Sequence, residues 1–251
     1  MSSIQLNRVT IDFPIYSAKD RSFRADIATR IGGRIASKSN GERQIVVRAL
    51  DEISFSLGPG DRLGLIGSNG AGKSTLLRAM SGVYEPTSGH LTVRGRVSSL
   101  LDIALGMDYE LTGYQNIIMR GVFMGMNRNQ IAAKIPEIEA FCDLGGFLDL
   151  PVRTYSNGMM LRLAFAISTS NDPEIVLLDE MVGVGDADFR VKSRERLDRV
   201  IEAAHVLVLA THDQHMLRQY CATCAWMEGG KLLAYGPIDD VLGAYAERFP
   251  S

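Results

Sequence analysis

The chain contains 251 residues, with a formal net charge of −2 and 46% hydrophobic residues. This composition is that of an ordinary globular protein with a sizeable core, and it gives no sign of a nucleic-acid-binding surface, so no nucleic-acid partner is expected. No apolar run approaches the ~18 residues of a membrane-spanning helix, and the N-terminal MSSIQLNRVT has no apolar signal region, so we expect a cytosolic chain that reaches any membrane through a partner.

The first stretch, residues 4–16, alternates apolar and polar side chains like an edge strand that Pro14 breaks. Residues 17–44 are basic and show no strand pattern. Apolar residues recur there every four positions, at Phe23, Ile27, Ile31 and Ile35. This spacing is typical of a short amphipathic helix. The helix would either pack on the domain surface or lie against a membrane or a membrane partner.

A glycine-rich loop follows the apolar strand LGLIG and precedes a helix start. It fits the pattern G-x-x-x-x-G-K-[ST] and consists of Gly67, Ser68, Asn69, Gly70, Ala71, Gly72, Lys73, Ser74 and Thr75. Glycines let the backbone approach phosphate oxygens closely, and the N–H groups at the helix start point at the anion. Lys73 is expected to reach the β- and γ-phosphates, and the Ser74 hydroxyl to bind Mg²⁺. The sequence therefore predicts a nucleoside triphosphate site.

The segments around this loop predict an α/β fold with a helical insert. Strand signals flank the turn GPGD, and EPTSGHLTVRGRV suggests a turn with a short hairpin. Residues from about 108 to 170 are mostly helical in pattern. Alternating strands and helices then return, with a helix near 187–203 and a closing hairpin in AWMEGGKLLAYG.

Two buried strands end in polar side chains. EIVLLDE ends in Asp179 and Glu180, and HVLVLATHD ends at His212. Parallel strands carry ligand chemistry at their C-terminal ends, so Asp179 is expected to hold Mg²⁺ and Glu180 to position or deprotonate water. His212 could contact the γ-phosphate. Without the loop upstream, an acidic turn and a structural histidine would explain these residues as well.

A second anion-binding helix start lies in YSNGMMLRLAFAIS, where Ser156 is a plausible N-cap followed by Asn157 and Gly158. One triphosphate does not need two such sites in one chain, whereas two copies facing each other would use both.

Cys142, Cys221 and Cys224 form no disulfide framework, and the CxxC spacing of the last two is better explained by small buried residues than by a metal site.

Together, in this order, these motifs resemble the ATPase subunit of ABC transporters over roughly residues 4–236. The resemblance implies a phosphate-loop ABC-type ATPase domain spanning 1–251, with an antiparallel β edge subdomain and an inserted helical subdomain. It also implies that two copies pair head-to-tail around ATP. By this resemblance, Lys73, Ser74 and Thr75 bind phosphates and Mg²⁺, and Asp179 supports the metal. Glu180 is then the catalytic base, and His212 is the switch histidine. Asp186 matches the aspartate of the loop that crosses the dimer interface, and Ser156 and Gly158 match the signature motif that acts on the ATP of the other copy.

Three segments depart from the usual family motifs. The signature LSGGQ is YSNGM, and the loop after the catalytic glutamate, usually PTSALD, is MVGVGD. The segment SSLLDIALGMDYELTGYQN has no glutamine at the expected metal-facing place, so Asp102 is the substitute we name. An aromatic ring that stacks on adenine is expected near the first strand, and Phe13 and Tyr16 both qualify, although packing explains them equally well.

The YSNGM signature, the segment LTGYQN and the basic segment 17–44 resemble the polysaccharide-exporter branch, whose members export O-antigen, capsule, teichoic acid or galactan. This implies a separate permease that handles a lipid-linked polysaccharide, with the ATPase bound peripherally at the cytoplasmic face of the inner membrane. About fifteen residues follow Gly236, too few for a glycan-binding C-terminal domain. Another transported cargo, or a soluble ABC ATPase acting on nucleic acid or protein complexes, are the alternatives.

Overall fold

A computed structural model describes residues 1–15, 34–38, 44–101, 103–180 and 187–249. The chain divides into two compact units. The first unit contains the described residues up to 101, residues 174–180 and residues 205–249, and the second contains residues 103–173 and 187–204. Within the described ranges, no helix combines the length and the apolar character that crossing a membrane would require.

The first unit has an antiparallel sheet in the order β2-β3-β1-β5, whose strands are β1 (Ser3–Ile15), β2 (Arg34–Lys38), β3 (Gln44–Leu57) and β5 (Ser88–Arg94). The expectation of an edge strand at residues 4–16 is wrong, since β1 pairs with β3 on one side and with β5 on the other. Pro14 does not break it. Pairing with β5 ends at Thr10, so at Pro14 β1 is paired on the β3 side only, and a proline is tolerated in such an edge position.

The absence of strand character in 17–44 is also wrong for Arg34–Lys38, which forms β2. Ile35 pairs with Val47 of β3 and does not lie on a helix. Strand β2 forms by pairing with β3, and the helical spacing of apolar residues in 17–44 carries no information on that pairing. The other three residues of that spacing lie outside the described residues.

The second sheet of this unit contains six strands in the order β10-β9-β4-β8-β7-β6. They are β4 (Arg62–Ile66), β6 (Val97–Ser99), β7 (Ile175–Asp179), β8 (Val206–Ala210), β9 (Thr223–Glu228) and β10 (Lys231–Pro237). Pairing is parallel except between β9 and β10, which form the predicted closing hairpin. The hairpin expected in EPTSGHLTVRGRV is wrong, because β5 joins β1 and β6 joins β7 in the other sheet.

Among the described residues of this unit, three helices accompany the sheets: α1 (Lys73–Met80), α6 (Gln214–Tyr220) and α7 (Ile238–Arg248). Strand β8 is buried at every position and β7 at all but its last. Their apolar runs fit strands covered on both faces, as parallel sheets require. The polar residues at the ends of these two strands are therefore positioned by strands that are packed on both faces.

The second unit is helical, with α2 (Gly113–Phe123), α3 (Arg128–Cys142), α4 (Asn157–Ser168), α5 (Ala187–Ala203) and two short 3₁₀ turns, Gly145–Asp149 and Val152–Thr154. Capping boxes begin α2 at Thr112 and α3 at Asn127. A buried guanidinium ties helices together: Arg196 donates to the Thr169 hydroxyl (2.8 Å) and to Glu137 (2.8 Å), and lies over the Phe141 ring.

Candidate active site

A cavity of about 460 Å³ opens in the first unit at the C-terminal ends of β4, β7 and β8. Its lining comprises Phe13, Val47, Ala49, Asn69, Gly70, Ala71, Gly72, Lys73, Ser74, Thr75, Leu101, Asp179, Glu180 and His212. The structure therefore brings together most of the site residues named from the sequence. Of the glycine-rich loop, Gly67 and Ser68 are not part of the lining.

The loop leads directly into α1. Gly72 is the N-cap, and it adopts a left-handed conformation with φ 105°, which favours glycine. No side chain caps this helix, so the N–H groups of its first turn are free to bind a ligand. An uncapped helix start that opens into a cavity is suited to bind phosphate.

The buried Lys73 ammonium lies inside this loop. It donates to the carbonyl oxygens of Gly67 (2.6 Å) and Ser68 (3.1 Å). Burial lowers the pKa of Lys73, while the negative charges of Asp179 and Glu180 act in the opposite direction. The cation is thus held by its own loop and faces two acids across the cavity.

Asp179 is the last residue of β7, and Glu180 follows it directly. Glu180 donates its backbone N–H to the carbonyl of Ala210 on β8 (2.8 Å) and adopts a left-handed conformation with φ 54°. That conformation is uncommon for a glutamate and costs on the order of 1 kcal/mol. The Glu180 side chain is 67% exposed, so the carboxylate is accessible to water at the cavity.

His212 lies beside these acids, beyond the end of β8. Its Nε2 is 3.1 Å from the Asn69 side-chain oxygen and 3.9 Å from a Glu180 carboxylate oxygen. Sequence reasoning named Asn69 only as a loop position and missed its contact with His212. The variable positions of the loop pattern carry no signal for such a contact, which depends on how two strands are paired.

An apolar wall, formed by Phe13, Val47 and Ala49, lines another part of the cavity. The Phe13 ring meets Tyr84 edge-on, with centroids 5.1 Å apart. Tyr16, the other candidate for adenine stacking, lies outside the described residues, as do Asp102 and Asp186. Val47 and Ala49 were not found from the sequence, because nothing in a β-strand pattern separates a cavity wall from a core face.

Within the second unit, Ser156 is the N-cap of α4, and its hydroxyl accepts a hydrogen bond from the Met159 N–H (3.2 Å). Ser156 and Asn157 are exposed. The preceding Tyr155 donates its hydroxyl to the Phe147 carbonyl (2.7 Å), and burial raises the pKa of Tyr155 to about 12. The helix start predicted in YSNGM is therefore present and open to solvent.

The residues of the cavity suit a nucleoside triphosphate with Mg²⁺. An uncapped helix start and a buried ammonium suit phosphate oxygens. The Ser74 hydroxyl and the Asp179 carboxylate are the hard oxygen ligands that Mg²⁺ prefers. Within the described ranges, the cavity included, no group of three or more His, Cys, Asp and Glu side chains is arranged to hold a metal ion. Cys142, Cys221 and Cys224 are free and buried, and the burial of Cys221 and Cys224 was predicted.

This fold and this cavity define an ATPase cassette of the phosphate-loop class. Residues 50–183 match the family model described as ABC transporter. The chain is 46% identical to the O-antigen export system ATP-binding protein RfbE of Yersinia enterocolitica, over 96% of this chain and 100% of that protein. It is 34% identical to the teichoic acids export ATP-binding protein TagH of Staphylococcus haemolyticus, over 98% of this chain and 88% of TagH. The chain belongs to the ABC transporter family.

Solved structures agree with this fold. The dimeric, post-hydrolysis structure of the ATP-binding cassette MJ0796, bound to ADP and Pi, superimposes with a TM-score of 0.65. The match covers 94% of this chain and 98% of that chain, at 18% identity. At this identity the likeness concerns the fold alone.

Proposed function

We propose that this chain is the ATP-hydrolysing subunit that powers export of a lipid-linked polysaccharide through a separate permease. The observation that carries the proposal is the 46% identity, over nearly the whole of both chains, to an O-antigen export ATP-binding protein. Similarity to a teichoic acid export ATP-binding protein points to the same class of cargo. The chain would work at the cytoplasmic face of the inner membrane, held there by the permease.

In the proposed reaction, the triphosphate lies along the phosphate loop. Lys73 and the first-turn N–H groups of α1 bind its β- and γ-phosphates, and Phe13 faces the base from the apolar wall. Ser74 and Asp179 would hold Mg²⁺, with Asp102 as a further candidate ligand. When bound, Mg²⁺ neutralises charge on the transferred phosphoryl group.

Glu180 would orient the attacking water and accept its proton as the water oxygen bonds to the γ-phosphorus and the bond to ADP breaks. His212, held by Asn69, would donate to the γ-phosphate. The Lys73 ammonium stabilises the charge that develops on the transferred phosphoryl oxygens. The exposed helix start at Ser156, Asn157 and Gly158 would close on the ATP of a second copy, and Asp186 would lie at the contact between copies.

The proposal is tested in the native host by replacing the chromosomal copy with Glu180→Gln. We expect cell-surface polysaccharide to disappear and its lipid-linked form to accumulate inside the cell. Glu85→Gln, an exposed substitution in the same unit and outside the cavity, should leave export normal. Normal surface polysaccharide in the Glu180→Gln strain would refute the proposed function.

A further inference from the structure

The β9–β10 turn (residues 228–231) contacts both the phosphate loop and the apolar wall of the cavity. Its two central residues, Gly229 and Gly230, have positive φ values of 55° and 80°, as expected for a two-residue hairpin turn. A Cβ at Gly230 would lie 2.7 Å from the carbonyl oxygen of Ala49, a residue of that wall. The turn therefore fits against β3 with no room for a side chain.

Backbone hydrogen bonds extend from this turn in two directions. Gly230 donates its N–H to the carbonyl of Ala71 in the phosphate loop (3.0 Å), and its own carbonyl accepts from the Asp51 N–H on β3 (2.8 Å). Gly67, the first residue of the phosphate loop, lies against β9, because a Cβ on Gly67 would collide with the carbonyl oxygen of Met227. The turn thus links β3 to the phosphate loop, which also lies directly against β3 where a Cβ on Gly72 would be 2.8 Å from the Ala49 carbonyl oxygen.

A group of charged side chains holds the turn on β3. Lys231, the last residue of the turn, lies 3.1 Å from the Asp51 carboxylate, and Arg48 donates to the same carboxylate (3.1 Å). Arg48 also forms two hydrogen bonds with Asp12 on β1 (2.9 and 3.2 Å). Burial alone would raise the pKa of Asp51, but Lys231 and Arg48 outweigh it and lower that pKa. The carboxylate is therefore ionised and paired at neutral pH.

We infer that Asp51 and Gly230 are positioning residues that fix the spacing between the apolar wall and the phosphate loop. The inference rests on the proposed nucleotide site. It adds that these two residues determine which length of ligand can contact the wall and the loop together. A nucleotide spans both parts of the cavity, with its base on the wall and its phosphates on the loop. A ligand that contacts the loop alone does not depend on the spacing.

The test compares binding of ATP with binding of inorganic tripolyphosphate to the full chain, both with Mg²⁺. Asp51→Asn keeps the shape of the side chain and the backbone bond to Gly230 but weakens both ionic contacts. We expect ATP binding to weaken roughly tenfold, as for the loss of a charged hydrogen bond, while tripolyphosphate binding stays within about twofold because it needs no wall. Lys231→Met should act in the same direction, and Lys231→Arg should restore ATP binding.

Glu228→Gln is the matched control. Glu228 lies in the same turn, but its ion pair is with Arg248 on α7, so both ligands should bind as they do to wild type. Equal losses for ATP and tripolyphosphate in Asp51→Asn, or no loss in either, would overturn the inference. A wild-type chain that binds no ATP would instead count against the proposed function, so the two failures are distinguishable.

Discussion

Glu180→Gln is the substitution that most directly separates binding from chemistry. The amide has the shape of the carboxylate, and the backbone bond from residue 180 to the Ala210 carbonyl is unaffected. The side chain is 67% exposed, so we expect the free energy of unfolding to change by less than about 0.5 kcal/mol. Removing a negative charge that faces the phosphates should leave ATP affinity unchanged or slightly higher.

Turnover should respond very differently. A glutamine cannot accept the proton of the attacking water, and general-base catalysis contributes roughly 10²- to 10⁴-fold, or about 3 to 5 kcal/mol of the barrier. We expect kcat to fall by a factor in this range while KM for ATP stays within about threefold.

The assay is phosphate release at saturating ATP and Mg²⁺, with nucleotide affinity measured in parallel and Glu85→Gln as the control. A kcat within about threefold of wild type would show that another group activates the water. A parallel loss of ATP binding would instead place Glu180 in ground-state binding.

Three further predictions concern two residues of the second unit and the ion pairs of Asp51 on β3. Ser156→Ala removes the N-cap of α4, and calorimetry should show a loss of about 1 kcal/mol of stability. A turnover assay should show that this variant also hydrolyses ATP more slowly. Thr112→Ala, which removes the cap of α2, should lose similar stability with turnover unchanged. Arg196→Met should cost about 2 kcal/mol in denaturant unfolding, since buried charged hydrogen bonds and a ring contact are lost, and a cost below about 0.5 kcal/mol would contradict this. Burial alone would raise the pKa of Asp51, but its basic partners lower it below the ordinary value of 3.8, so its contribution is present above about pH 4 and lost as pH falls through the folded pKa. Unfolding measured from pH 2 to 6 should show the stability gap between wild type and Asp51→Asn narrowing below pH 4, and a constant gap would refute the assignment.

Local signals in the sequence located several structural elements correctly. The strand, glycine-rich loop and helix around Lys73 are present, as are the helix near 187–203, the N-cap at Ser156 and the closing hairpin. Each depends on residues close together in the chain. Turn glycines, caps and apolar runs are read from such neighbours, so their positions could be predicted.

Pairings between distant segments could not be predicted in this way. The stretch at 88–99 contains two strands with a turn between them, yet they belong to different sheets. The contact of His212 with Asn69 joins residues far apart in the chain, and no local pattern marks the left-handed conformation of Glu180. The link from Asp51 through Gly230 to the phosphate loop joins three distant segments, and no motif marks it.

The measurement that tests the central claim most directly is purification of the tagged chain from native membranes, followed by mass spectrometry of what accompanies it. The account predicts a polytopic permease carrying a lipid-linked polysaccharide. A soluble solute-binding protein, or the absence of any membrane partner, would contradict polysaccharide export and leave only the ATPase.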